Sequence, residues 1–211
     1  MGVNIIYSKF HNLTDDKQKQ IINAAMKEFA QRGFDKASTN EIIKMANISK
    51  GSLFNYFDSK RGLYLYLIDY AIDIVEQKFL RLVDASKRDL FARLKNIATI
   101  KMEFLHRYPN TMQFLSTIFL NDDSIDENVL KKIKKLQLQA DKMTYENIDY
   151  SLFREDVDPK KAFQIIRWAF DGYEIEMRAH LKNKDFRKLN FNQYWDEFYE
   201  YIDVMKTSFY K

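Results

Sequence analysis

The 211-residue chain has no cysteine, only two prolines and five glycines, and three histidines. Without thiols it can form neither disulfides nor thiolate metal sites, which fits a reducing, cytoplasmic setting. With few chain-breaking residues and 46% apolar content, short connections and a mostly helical chain are expected. No stretch approaches ~20 uninterrupted apolar residues, so no membrane span is expected. The opening MGVNIIYSKFHN lacks the charged, apolar and small-residue regions of a secretory signal. His11, His106 and His180 are scattered, no GxSxG occurs, and the glycines are too dispersed for a GxGxxG or a phosphate-binding loop. The chain is therefore not expected to be an enzyme, and no cofactor or metal is called for. Asp122, Asp123, Asp126 and Glu127 are neighbours that read as dipole-favourable charges at a helix start rather than as metal ligands.

The two signs of charge nearly balance, with 34 Lys/Arg against 30 Asp/Glu. The net is only +4, and residues 1–60, with nine Lys/Arg against six Asp/Glu, hold +3 of it. A modest basic excess thus sits in the smaller N-terminal part, where phosphate affinity would need it.

The most informative segment is Ser38–Lys60, STNEIIKMANISKGSLFNYFDSK. Ser38 followed by Glu41 predicts a capping box opening a short helix, with Thr39 at its positive end and Ile42, Ile43 and Ala46 on its buried side. Asn47 falls where a tight turn needs positive φ, which Asn tolerates and a β-branched residue does not. Ser49 then caps a second helix whose first turn is Lys50, Gly51 and Ser52. Leu53 and Phe57, four apart, read as core, leaving Asn55 and Tyr56 to point outward. Gly51 is a poor helix former, and its place at a helix front suggests close approach of a phosphate or base edge. Asp58-Ser59-Lys60 caps the next helix, whose first N–H groups favour an anion. Two short helices around a tight turn, with hydroxyl, basic and aromatic side chains on the second, suit the placing of a helix in a DNA groove.

The run from about Gln20 to Ala71 resembles the N-terminal domain of the tetracycline-repressor (TetR) family of transcriptional regulators. The likeness is carried by AAMKEFAQRGFDKAST, EIIKMANISKGSLFNYF and the SK that follows, roughly a quarter of the chain. Asn47 stands where the family more often has glycine. Phe54-Asn55-Tyr56 replaces the usual Tyr-Tyr-His or Tyr-His-His, so no base preference carries over. The resemblance implies an all-α fold: a three-helix, helix-turn-helix DNA-binding domain over residues 1–60 and a larger helical effector-binding and dimerisation domain over 61–211. It implies DNA contact by Thr39, Ser49, Lys50, Gly51, Ser52, Phe54, Asn55, Tyr56 and Lys60. Thr39, Tyr56 and Lys60 would hold phosphate; Lys50, Ser52 and Asn55 would lie nearest base edges. It further implies repression of a double-stranded, near-palindromic operator. A small-molecule effector bound in the larger domain would shift the helix joining the two parts and release the DNA. Candidate effector residues are Met102, Phe104, Leu105, Phe114, Ile118, Trp168, Phe170, Tyr173 and Glu174, a set that suits a lipophilic or cationic molecule. A DNA-bound scaffold of the same fold, indifferent to small molecules, is the alternative.

Elsewhere, residues 1–13 read as a tail. Thr14, Asp15 and Asp16 start a helix with apolar positions Ile21/Ile22, Ala25/Met26 and Phe29, which Gly33 closes so that Phe34 folds back. A long helix follows from Ser59. Another, from about Lys87, ends near Tyr108 because Pro109 forces its predecessor out of helical geometry. Residues 109–120 form a short apolar helix. Ser124 and Glu127 predict a second capping box opening a helix striped by Val129, Ile133, Leu136, Ala140 and Met143, with Lys131, Lys132, Lys134 and Lys135 on its solvated face. Asp158 with Pro159 opens AFQIIRWAFDGYEIEMRAHL, and after a polar break a last helix carries Phe191, Tyr194, Trp195, Phe198, Tyr199, Ile202 and Met205. So many large apolar groups exceed one core, and these two C-terminal helices are the expected homodimer contact. The other reading is that they fill the monomer's own interior.

Overall fold

A computed structural model describes residues 7–120, 127–181 and 184–211. Ten α-helices occur among them: α1 (Ser8–His11), α2 (Asp15–Lys36), α3 (Thr39–Ala46), α4 (Lys50–Phe57), α5 (Lys60–Lys78), α6 (Leu90–Arg107), α7 (Pro109–Leu120), α8 (Glu127–Tyr145), α9 (Pro159–Leu181) and α10 (Asn192–Phe209). The fold is all-α; the described residues contain no strand beyond a single antiparallel bridge between Phe153 and Tyr210. Two compact units are present: Met1–Ile74 with Tyr108–Lys132, and Val75–Arg107 with Ile133–Lys211.

In the first unit the capping chemistry acts as its residues dictate. Gly33 takes φ 69°, ψ 173° and interrupts α2, and the Phe34 ring stacks back on Phe29 at 6.2 Å. Ser38 Oγ accepts from the Glu41 N–H at 3.4 Å, and Asn47 occupies the left-handed region at φ 48°, ψ 57°. Ser49 Oγ accepts from Ser52 N–H at 3.0 Å, and Ser59 Oγ accepts from Gly62 N–H at 2.9 Å. Only half of the expected box at Ser38 forms. The Ser38 N–H donates to Oε1 of Glu28, buried on α2, at 2.9 Å, so that N–H is not left for Glu41.

Residues 7–13 are not a tail. Phe10 is 0% exposed, and its ring lies 4.8 Å from Phe57 and 5.2 Å from Tyr66. One aromatic in a polar stretch buries enough surface to dock a single helical turn. The helix at 109–120 also belongs to this unit: Asn110 Nδ2 donates to Asn23 Oδ1 at 3.0 Å, and buried Phe114 meets the Phe29 and Tyr64 rings at 6.4 and 5.6 Å. Burial pushes the Tyr64 hydroxyl up to about 12.

The second unit is built on Leu90, Phe91, Leu94, Ile148, Phe153, Ala162, Ile166, Phe170, Ile202 and Tyr210. Asp158 Oδ1 caps α9 by accepting from Lys160 and Lys161 N–H, as expected. Helix α6 starts at Leu90 rather than Lys87, with Asp89 Oδ1 accepting from Phe91 and Ala92 N–H at 2.9 and 3.2 Å. The delay has a cause: the Ala85 and Lys87 carbonyls accept from the guanidinium of Arg93 at 3.0 and 2.7 Å. On α8, Val129, Ile133 and Leu136 are buried and Lys131, Lys132, Lys134 and Lys135 exposed. Ser124, Asp122, Asp123 and Asp126 lie outside the described residues.

Candidate nucleic-acid interface

Helix α4 turns Leu53 and Phe57 into the core and leaves Ser49, Lys50, Gly51 and Asn55 exposed, with Ser52, Phe54 and Tyr56 half-buried. The face so presented carries hydroxyl, ammonium, amide and bare backbone groups. Its placement depends on partners from other elements. Lys17 of α2 donates to the Ala46 and Asn47 carbonyls at 3.0 and 2.9 Å, closing the C-terminus of α3 where the helix dipole favours a cation. Glu28 holds the other end of α3 through Ser38. The hydroxyls of Ser49 and Ser52 are 2.8 Å apart, and Tyr56 packs its ring against Phe10 at 6.1 Å.

Gly51 is not a packing requirement. A Cβ at that position would meet only Ser49 Oγ, at 3.8 Å. The space beside it is open, as an external surface coming close to the backbone would need.

Thr39 is the first residue of α3 and half-buried. Lys60 is also half-buried: its Nζ donates to the Asp35 carbonyl at 3.0 Å and lies 5.0 Å from the Phe34 ring centroid. It therefore ties the end of α2 to α5 in addition to any phosphate it holds. Lys17 and Glu28 have no signature in the sequence. Each acts through a hydrogen bond to a residue far away in the chain, which leaves no local pattern.

The candidate effector residues are spread over both units. Phe114 and Ile118 are core residues of the first; Met102, Phe104, Leu105, Trp168, Phe170, Tyr173 and Glu174 belong to the second. Phe104, Leu105 and Phe170 are buried, whereas Trp168 is 66% exposed. Glu174 already has partners: Lys101 at 3.3 Å and Arg178 at 2.8 Å, whose charges hold its carboxyl down to about 2. Tyr173 opens on a cleft of about 70 Å³ lined also by Glu176, Met177, His180, Tyr194, Glu197 and Tyr201. Its hydroxyl donates to Glu197 Oε2 at 3.0 Å. Among the described residues no three His, Cys, Asp or Glu side chains gather as a metal site, and no helix is long and apolar enough to cross a membrane.

Comparison with known proteins agrees with this geometry. Residues 21–67 match the family model described as bacterial regulatory proteins, tetR family. The chain is 31% identical over 125 residues to the uncharacterized HTH-type transcriptional regulator YuxN of Bacillus subtilis, covering 59% of this chain and 43% of that one. It is 28% identical over 182 residues to IcaR of Staphylococcus aureus, the HTH-type negative transcriptional regulator of the biofilm operon icaADBC, covering 81% and 96%. The similarity to YuxN thus spans less than half of that relative's length. Among solved structures, a TetR family transcriptional regulator from Chloroflexus aurantiacus shares the fold with a TM-score of 0.64 at 23% identity, over 97% of this chain and 98% of that one.

Proposed function

The chain belongs to the TetR family of bacterial regulatory proteins, and from that footing we propose that it is a transcriptional repressor reading a near-palindromic DNA operator as a homodimer. The observation that carries the reading is α4: an exposed helix whose surface is built from Ser49, Lys50, Gly51, Ser52 and Asn55 while Leu53 and Phe57 anchor it. Thr39, Tyr56 and Lys60 hold phosphate, and Phe54 borders the contact. Residues 1–60 read DNA; residues 61–211 bind the effector and pair with a second copy. The chemistry is binding rather than catalysis, and the setting is the cytoplasm.

Pairing falls to α9 and α10. Trp168 and Ile175, seven residues apart on α9, are 66% and 70% exposed, and Val204 on α10 is 60% exposed. Apolar groups this large, in line on one helix face, suit a twofold self-contact. A dimer then offers two α4 helices to half-sites about one DNA turn apart, ~34 Å. The effector is a small molecule, lipophilic or cationic, a reading supported by the tyrosine rings and the Glu176 and Glu197 carboxylates around the Tyr173 cleft.

Role assignments are separable by substitution. Asn55→Ala is expected to change the ranking of operator variants. Lys60→Ala is expected to weaken binding to all sequences alike and flatten the salt dependence by about one phosphate's worth; because Lys60 also ties Asp35, its melting temperature should fall as well. Titration of both proteins against an operator panel at several salt concentrations tests this, and identical effects on every sequence would refute the division. Gly51→Ala is expected to raise stability by about 0.5–1 kcal/mol through helix propensity, yet to weaken DNA binding at least ~10-fold, about 1.4 kcal/mol. Wild-type affinity in that variant would remove Gly51 from the interface.

A further inference from the structure

Helix α1 adds a charged group to the reading helix. Phe10 seats α1 in the core, and Gln18 Nε2 fixes its exit by donating to the Leu13 and His11 carbonyls at 2.8 and 3.2 Å. The neighbouring Lys9 stays exposed and extends to α4, where its Nζ donates to Asn55 Oδ1 at 2.6 Å. Lysine has donors and no acceptor, so the Asn55 atom facing it must be the carbonyl oxygen. That settles the amide's orientation: the Nδ2 group, with two donors, is turned away from Lys9.

The consequence lies in what Asn55 can read. Asparagine recognises adenine with both ends of the amide, accepting from N6 and donating to N7. With an ammonium on one lone pair of Oδ1, the pair presents mainly donors and positive charge: two N–H of Asn55 Nδ2 and the remaining N–H groups of Lys9. An adenine N6 amino group could reach only the second lone pair of Oδ1, with its positive N–H edge beside the Lys9 ammonium. Guanine offers acceptors at both N7 and O6 and matches it.

We propose that Lys9 is a specificity-determining residue, which converts Asn55 from an adenine reader into half of a donor pair selecting guanine. The inference rests on the reading of α4 as the DNA-contacting helix. Lys9→Met retains the side chain's length and removes its charge and donors. Because Lys9 is exposed and Phe10 holds α1, the variant should melt with the wild type.

The test is selection from a random duplex library by wild type, Lys9→Met and Asn55→Ala, the last marking the base pair that Asn55 faces by loss of preference there. At that pair the wild type is expected to favour guanine over adenine by ~10-fold or more, and Lys9→Met to lose that preference or turn to adenine. The same base selected at the same strength by wild type and Lys9→Met would overturn the role of Lys9 while leaving α4 as the reader. An adenine preference in the wild type would overturn it equally. No enriched sequence with the wild type would instead bring down the DNA-reading function itself, and the Lys9 proposal with it.

Discussion

Replacing Arg93 with methionine is expected to cost about 3–5 kcal/mol of stability. Arg93 is 0% exposed, and its guanidinium bonds to carbonyls rather than to a carboxylate. Nε donates to Lys87 O at 2.7 Å, Nη2 to Ala85 O at 3.0 Å, and Nη1 to Glu146 O at 2.6 Å, with Met143 and Thr144 carbonyls at 3.3 Å. One side chain thus satisfies the C-terminal carbonyls of α8 and organises the turn before α6. The negative end of the α8 dipole supplies part of the compensation for the buried charge. Burial still lowers the Arg93 pKa, with Asp84 acting in the opposite sense. Methionine fills much of the volume and leaves these carbonyls without their donor, the costly half of breaking a buried polar network. Lysine keeps a charge but has no planar fork, and should recover less than half of the loss. At roughly 2–4 °C per kcal/mol for a chain of this size, the melting temperature should drop by about 6–20 °C. A fall of under ~2 °C would show that the carbonyls find other partners.

The second large effect is on assembly. Trp168→Glu combined with Ile175→Glu should yield a folded monomer, because both side chains are mostly exposed and contribute little to their own protomer's core. Facing its own copy across a twofold axis, each new carboxylate would meet apolar surface or another carboxylate. Operator affinity should fall ~100-fold or more, since a monomer engages one half-site and loses the effective concentration that tethering provides. Light scattering together with DNA titration reads both outcomes. A double variant as dimeric as the wild type would move the interface away from this face of α9.

What was legible in the sequence is what is written locally. Ser38, Asn47, Ser49 and Ser59 act on backbone groups within a few residues, so side-chain chemistry and spacing suffice to place α3, the turn and α4. Gly33 is legible for the same reason, since positive φ after a helix narrows the choice of residue. The α8 stripe of Val129, Ile133 and Leu136 follows from period alone. Long-range contacts have no such signature. Glu28 to Ser38, Lys17 to Ala46 and Arg93 to Glu146 join residues that only the folded chain brings near, and each looks like ordinary surface charge in sequence. Glu28 displaced Glu41 from half of a capping box, and Arg93 moved the start of α6 by three residues. Phe10 was missed because a single anchor has no periodicity, and with it went the contact of Lys9 to Asn55. Phe114 reads as a candidate pocket residue by type, yet the rings of Phe29 and Tyr64 enclose it in a core.

The most direct test of the central claim is the affinity of the full-length protein for DNA flanking its own gene against scrambled DNA of equal length, measured across a series of salt concentrations. Sequence-specific reading by paired α4 helices predicts a preference of ~1,000-fold or more, with protection of a near-palindrome whose half-sites lie about one turn apart. Equal affinity for both DNAs, collapsing together as salt rises, would contradict it.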